Sequence, residues 1–224
     1  MVIVQISDEV RARFEGLSLG IAIVEDVNVK SKCEELSAEI ERCEMEIRRS
    51  IKIEDLKDLP IIRAYRDFYW RIKIDPTKQR PSAEALIRRI LRGKSIPRIN
   101  CAVDAYNLAS ILTQISIGAY DLDKIVEPIV LRWSREGEKF KGIGEDEKAI
   151  ERQLVIADSE KIINLYPHRD SDLTKITKDT KRILIIACGA PGIPSSTVLK
   201  AAEKSAQNIV KFCGGRIERC WLVK

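Results

Sequence analysis

Residues 73–125 read KIDPTKQRPSAEALIRRILRGKSIPRINCAVDAYNLASILTQISIGAYDLDKI. After the turn formers Asp75-Pro76, Ser82 stands where a helix cap belongs and Gly93 where a helix stops, so a helix is expected through Arg92. Its length and flanks are basic: Lys78, Arg80, Arg88, Arg89, Arg92, Lys94 and Arg98 face only Glu84. Pro97 precedes a second helix, from about Asn100 to Gln114, on which Asn100, Asp104 and Asn107 recur at i, i+4 and i+7 and so share one stripe. The opposite face is Ala102, Ala105, Ala109 and Leu112, and the flanks Val103, Leu108 and Ile111 are apolar too. Such a helix is expected to be buried, and its polar stripe must find partners or line a pocket. Two readings stay open: Asn100 caps the helix while Asp104 and Asn107 pin loops, or the stripe faces a ligand. ISIGAYD follows at once as a Gly-Ala-Tyr-Asp turn, where Gly118 leaves room for a ligand or a tight bend and Tyr120 offers a ring and a hydroxyl.

Outward from this stretch, Val2–Ile6 and Leu19–Val24 read as strands, and Ser31 as the cap of a long helix to about Ser50. Ile53 to Trp70 continues as helix, interrupted near Pro60. Ile129–Trp133, Gln153–Ala157, Ile162–Tyr166 and Ile183–Ala187 are short β-rich runs punctuated by Gly, Asp and Lys. Pro194 or Ser195 opens a last helix to about Phe212, Gly214-Gly215 ends it, and Arg216–Val223 closes as a strand. Helices lead and strands follow without strict alternation, which argues for α+β. The division expected is an N-terminal α/β segment, residues 1–72, packed on a core of residues 73–224, the whole forming one compact unit.

Charge and composition narrow the function. With 45% hydrophobic and 33% charged residues the chain has the makings of a folded core. No apolar run approaches the roughly 20 residues of a membrane span, and acid arrives by Asp8, too early for a signal peptide; no membrane and a cytoplasmic setting are expected. A net charge of +5 concentrated in one basic block suits nucleic acid, though a solvated helix face would carry the same residues. Six cysteines without a CxxC pair and a single histidine, His168, argue against a zinc site, so neither metal nor cofactor is expected. There is no phosphate-binding glycine loop and no catalytic triad. An enzyme built from these residues would work by orientation and hydrogen bonding. The polar loop Pro167–Lys175, with Arg169, Ser171 and Thr174, could orient a substrate or simply turn.

IPRINCAVDAYN followed by ISIGAYDLDKI resembles the tRNA-editing and tRNA-binding module formed by the third and fourth domains of the phenylalanyl-tRNA synthetase beta subunit. DPTKQRPSAEALIRRIL, LRWSREGEKFKGIG, HRDSDLTKITKDT and the late CGG resemble stand-alone relatives of that module, in order, over roughly residues 10–216. The resemblance implies a β-sandwich core of unusual topology flanked by helices, and hydrolysis of a wrong amino acid from tRNA without any power to charge it. The expected partner is therefore tRNA with an aminoacylated 3′ end, not DNA. The family's pocket asparagine falls on Asn107 and the aspartate before it on Asp104, which makes these the catalytic candidates; the neighbouring position, often threonine, is Tyr106. Asn100, Tyr106, Gly118, Tyr120, Arg169, Ser171 and Thr174 are then the substrate-binding candidates, and Arg80, Arg88, Arg89, Arg92, Lys94 and Arg98 the RNA-binding ones. Two positions depart: the family's histidine falls on Gly118, and the glutamate that reads the tyrosyl hydroxyl falls near Lys175. The ligand, whether an amino acid or something else, stays open.

Overall fold

Alternating burial and helical periodicity divide the chain much where the punctuation falls. The computed structural model describes residues 2–224. In order come β1 (Val4–Ile6), α1 (Asp8–Arg13), β2 (Leu19–Glu25), α2 (Glu34–Ser50), α3 (Pro60–Arg71), α4 (Ser82–Leu91) and α5 (Cys101–Thr113). There follow β3 (Ser116–Asp121), β4 (Ile129–Trp133), β5 (Lys139–Phe140), β6 (Lys148–Ala149), β7 (Leu154–Ala157), β8 (Ile162–Leu165) and β9 (Arg169–Asp170). β10 (Ile183–Cys188), α6 (Ser195–Cys213) and β11 (Arg216–Val223) complete it.

Two sheets share one core. The first runs β1-β4-β7-β8-β9 and the second β11-β2-β10-β3, while β5 and β6 form a separate hairpin. β2 and β10 are apolar almost throughout because they lie in the middle of the second sheet, with α6 packed against them. On β7 the period of two holds, Ile156 facing the shared core and Val155 and Ala157 a smaller cluster with Phe140 of the hairpin; a bulge at Ile163 interrupts it on β8, so that Ile163 faces the core while Ile162 and Leu165 join the smaller cluster. The first 72 residues give a strand to each sheet, β1 beside β4 and β2 between β10 and β11. The fold is α+β.

Local expectations need four corrections. α2 starts at Glu34 with Cys33 in the cap position, not at Ser31. The chain before it stays extended because Asn28 N–H bonds Cys213 O and Lys30 O accepts Cys101 N–H. Ser82 is the first helical residue of α4 rather than its cap, since Pro81 holds the extended entry at φ −51°. Most consequential, ISIGAYD is no turn. Ser116–Asp121 pairs along its whole length with β10, Gly118 opposite Ile186. The bend lies two residues earlier, at Gln114 with φ 60°. Leu112, placed with the packed face of α5, is 49% exposed, while Ala102, Ala105 and Ala109 are buried as expected and Asn208 of α6 reaches the Ala105 carbonyl.

Candidate nucleic-acid interface and the polar cluster behind it

α4 buries Ala83, Ile87 and Ile90, and with them a carboxylate, Glu84, which has no exposed surface. A buried carboxylate requires partners, and three guanidiniums supply them. Arg66 of α3 donates to both oxygens at 3.0 and 3.2 Å, Arg88 lies at 3.3 Å, and Arg80 at 3.9 Å. Arg89 is used differently: its Nε donates to Ser95 O at 2.6 Å and secures the turn after the helix, where Gly93 sits at φ +77°. Lys78, Arg92 and Lys94 are exposed and form no ion pair among the described residues.

Opposite this wall stand the β5–β6 hairpin and β9. Between them opens a cleft of about 490 Å³ in which Lys78, Arg80, Arg88, Arg89, Arg92 and Lys94 face Lys148 and Arg169. Glu145 is the one carboxylate lining it, and it is shared by Arg169 at 2.6 Å and Lys148 at 3.2 Å. Eight cations against one anion make a strong positive field in a concave site. His168 also lines the cleft, edge-on to Tyr69, and burial lowers its imidazole to about 4, helped by the charge of Arg169. Five of the six RNA-binding candidates meet here. Arg98 does not; it lies against Ser37 O at 3.4 Å on α2. Arg169, assigned to the amino-acid end, joins the cations instead.

Successive residues of a strand face opposite ways. Arg169 lines the cleft, and Asp170, next on β9, turns inward. Its Oδ1 accepts from Tyr120 Oη at 2.8 Å and from Asn164 Nδ2 at 3.0 Å, so a carboxylate of the first sheet is bound to a phenol of the second. Gly118 makes room for this. A Cβ there would collide with the Tyr120 hydroxyl and lie 2.7 Å from Asp170 Oδ1. Burial raises the Asp170 carboxyl above its ordinary range, against the pull of those two hydrogen bonds and of Arg169. Burial likewise raises the Tyr120 and Tyr106 phenols, with the Asp170 charge adding to both. Asn164 Oδ1 and Thr174 Oγ1 are buried and have no hydrogen-bond partner among the described residues.

The remaining candidates lie apart from that cluster in their bonding. Asn100 caps α5, its Oδ1 accepting from Val103 N at 3.0 Å, and Asp104 accepts from Ile99 N at 2.9 Å. Burial raises the Asp104 carboxyl, opposed by that bond and by Arg98. Asn107 is half-buried and its amide has no hydrogen-bond partner among the described residues. Ser171 caps a short 3-10 turn, accepting from Leu173 N at 3.2 Å. Lys175 pairs with Asp172 at 2.7 Å. Asn164 and Glu145 escape sequence reasoning, and Asp170 enters it only as part of the polar loop Pro167–Lys175, where the structure has strand β9; the one further signal is Asn164, a lone amide inside the apolar run IINLY. No helix is long and apolar enough to cross a membrane, and no cluster of His, Cys, Asp and Glu suited to a metal occurs among the described residues.

The two-sheet α+β fold that carries the basic cleft has counterparts among known proteins. The chain belongs to the B3/4 domain family, whose model matches residues 64–214. It is 36% identical over 121 residues to the phenylalanine–tRNA ligase beta subunit of Carboxydothermus hydrogenoformans, covering 53% of this chain and 15% of that protein. It is 29% identical over 144 residues to the corresponding subunit of Bifidobacterium longum, covering 61% of this chain and 16% of that one. The fold matches an N-terminal fragment of the phenylalanyl-tRNA synthetase beta subunit from Pyrococcus horikoshii with a TM-score of 0.52 at 16% identity, over 96% of this chain and 50% of that fragment. The chain thus spans only a small part of the curated relatives it matches.

Proposed function

We propose that this chain binds tRNA through the basic cleft and removes wrongly attached amino acids from its 3′ end in trans, in the cytoplasm and without charging tRNA itself. One observation carries the reading: the eight cations of the cleft and the Asp170 cluster lie on opposite sides of the same strand, β9. A phosphate backbone anchored on the first side would bring a chain end close to polar groups on the second. The ester of an aminoacyl-tRNA is already activated, so water held by hydrogen-bonding groups suffices and no protein nucleophile is required. In this reading Asn107, whose amide is unengaged, orients water or ester, and Asp104 fixes the start of α5 on which it stands. Residues 73–224 form the binding and editing core, with residues 1–72 completing its sheets.

The test is deacylation of a panel of mischarged tRNAs, with ATP–pyrophosphate exchange expected to be nil. Asn107→Ala should slow deacylation by about 100- to 1,000-fold while tRNA affinity and thermal midpoint hold. A lost midpoint with unchanged rate would make Asn107 a structural amide. A second reading, binding without turnover, is favoured by one feature: the Tyr120 hydroxyl and Asp170 fill the space beside Gly118, where a substrate group would otherwise sit. Tight tRNA binding with no deacylation across the panel would establish it.

A further inference from the structure

Beside the basic cleft lies a second, of about 510 Å³, and the two share Lys78 and Gln79. Arg13, Arg71, Lys73 and Arg152 line it against Asp75 and Glu151, so it too is positive. Trp133, the last residue of β4, completes the lining. The indole is half-buried, tilted 47° against Phe14 at 6.3 Å, and its Nε1 has no partner among the described residues. The guanidiniums of Arg13 and Arg152 lie 5.3 and 5.4 Å from its centroid. An indole with two guanidiniums near its ring and further cations around it offers aromatic surface and phosphate contacts together. Its volume falls within the range of small-ligand clefts.

Resting on the RNA reading of the first cleft, we propose that an unpaired stretch of the same RNA crosses at Lys78 and Gln79 and stacks a base on Trp133, its phosphates held by Arg71, Lys73 and Arg152. Paired bases already stack on one another and cannot enter, so this site selects single-stranded nucleotides, whereas the first cleft grips backbone of either kind. Arg152 is exposed, and besides the Trp133 ring its one ion pair among the described residues is with Glu9 at 2.6 Å, another exposed side chain.

The chain has three tryptophans, and Trp70→Phe with Trp221→Phe leaves Trp133 as the sole tryptophan, excited apart from the tyrosines at the red edge. This variant is titrated with a uridine oligomer and with an RNA duplex of equal length, following Trp133 emission alongside anisotropy of the labelled RNA. Quenching that tracks binding of the single strand, and is absent with the duplex, is the expected result. Trp133→Leu should weaken single-strand binding by about 5- to 150-fold, the loss of one base–aromatic stack, with duplex binding unchanged and Trp133→Phe close to the parent. Should Trp133→Leu not fold, the quenching decides alone. Single-strand binding without quenching, or equal quenching by the duplex, overturns the stacking site and leaves the RNA reading intact. Failure of the parent chain to bind either RNA overturns both.

Discussion

Along one wall of the basic cleft, Arg80 and Arg88 turn toward a carboxylate buried beneath α4, while Lys78, Arg92 and Lys94 turn toward none. The paired residues lie between the free ones in the same segment, and the two sets look alike in composition. Their surroundings separate them. Glu84 has lost its water, so the guanidiniums of Arg66, Arg80 and Arg88 are held around it in its place, which offsets one of their three charges and commits all three side chains to the packing of α4. The other three keep full hydration and have charge to offer a phosphate. A basic block therefore carries two jobs, holding α4 to α3 and facing the partner, and the free set is the one that should report on RNA without a cost in stability.

The largest effect expected from this contrast falls on stability. Glu84→Gln leaves three guanidiniums around a neutral amide and should cost about 3–5 kcal/mol in urea unfolding, as breaking a buried ion pair does. A loss below about 1 kcal/mol, the value of a surface pair, would mean that these arginines are solvated and the contrast false.

The free set should show the reverse. Lys78→Ala, Arg92→Ala and Lys94→Ala combined should leave the unfolding midpoint nearly unchanged and flatten the dependence of log affinity for tRNA on log salt by about 2 to 3 units, three phosphate contacts' worth. An unchanged slope would place the RNA elsewhere. Replacing Arg88 in place of Lys78 would blur the result, because binding and folding would fall together.

How far the sequence could anticipate this division is seen at particular residues. Glu84 stands four residues before Arg88 on α4, so that pair was legible on a helix; its burial, the approach of Arg80 from before the helix cap and of Arg66 from α3 depend on packing that no local pattern carries. Strand edges such as Ile129–Trp133 were legible because apolar runs end at Pro128 and Ser134. Their order was not. β1 pairs in parallel with β4 across more than a hundred residues, and β2 enters between β10 and β11. ISIGAYD was read as a turn from its glycine, yet Gly118 is small for a tertiary reason, the Tyr120 hydroxyl folding over it to reach Asp170. The cleft's opposite wall, Lys148 and Arg169, is brought in by sheet register. The basic face could thus be read as a segment, but the concave site could not.

The smallest effect sits on His168, the only histidine, which views the free cations from across the cleft. Burial holds its imidazole at about 4 in the folded chain against an ordinary 6.5, and Arg169 and Lys148 push the same way. Between those values the unfolded chain takes up a proton that the folded chain refuses. Stability from this group is therefore complete above pH 6.5 and falls as pH drops toward 4, by about 3 kcal/mol over the window. The ring resonance of His168 should titrate near 4 and give this directly. A bound polyanion would neutralise Arg169 and Lys148 and remove part of the push, so the value should rise by on the order of one unit, roughly 1.4 kcal/mol, when tRNA saturates the protein. The Lys78, Arg92 and Lys94 triple variant, lacking its anchor, should show a smaller rise at the same RNA concentration. A resonance that titrates near 6.5 in the free protein would mean that His168 is solvated and that the cleft wall around it is open. A value near 4 that RNA does not move would put the bound phosphates on the Lys78–Lys94 side alone, away from β9 and the carboxylate behind it.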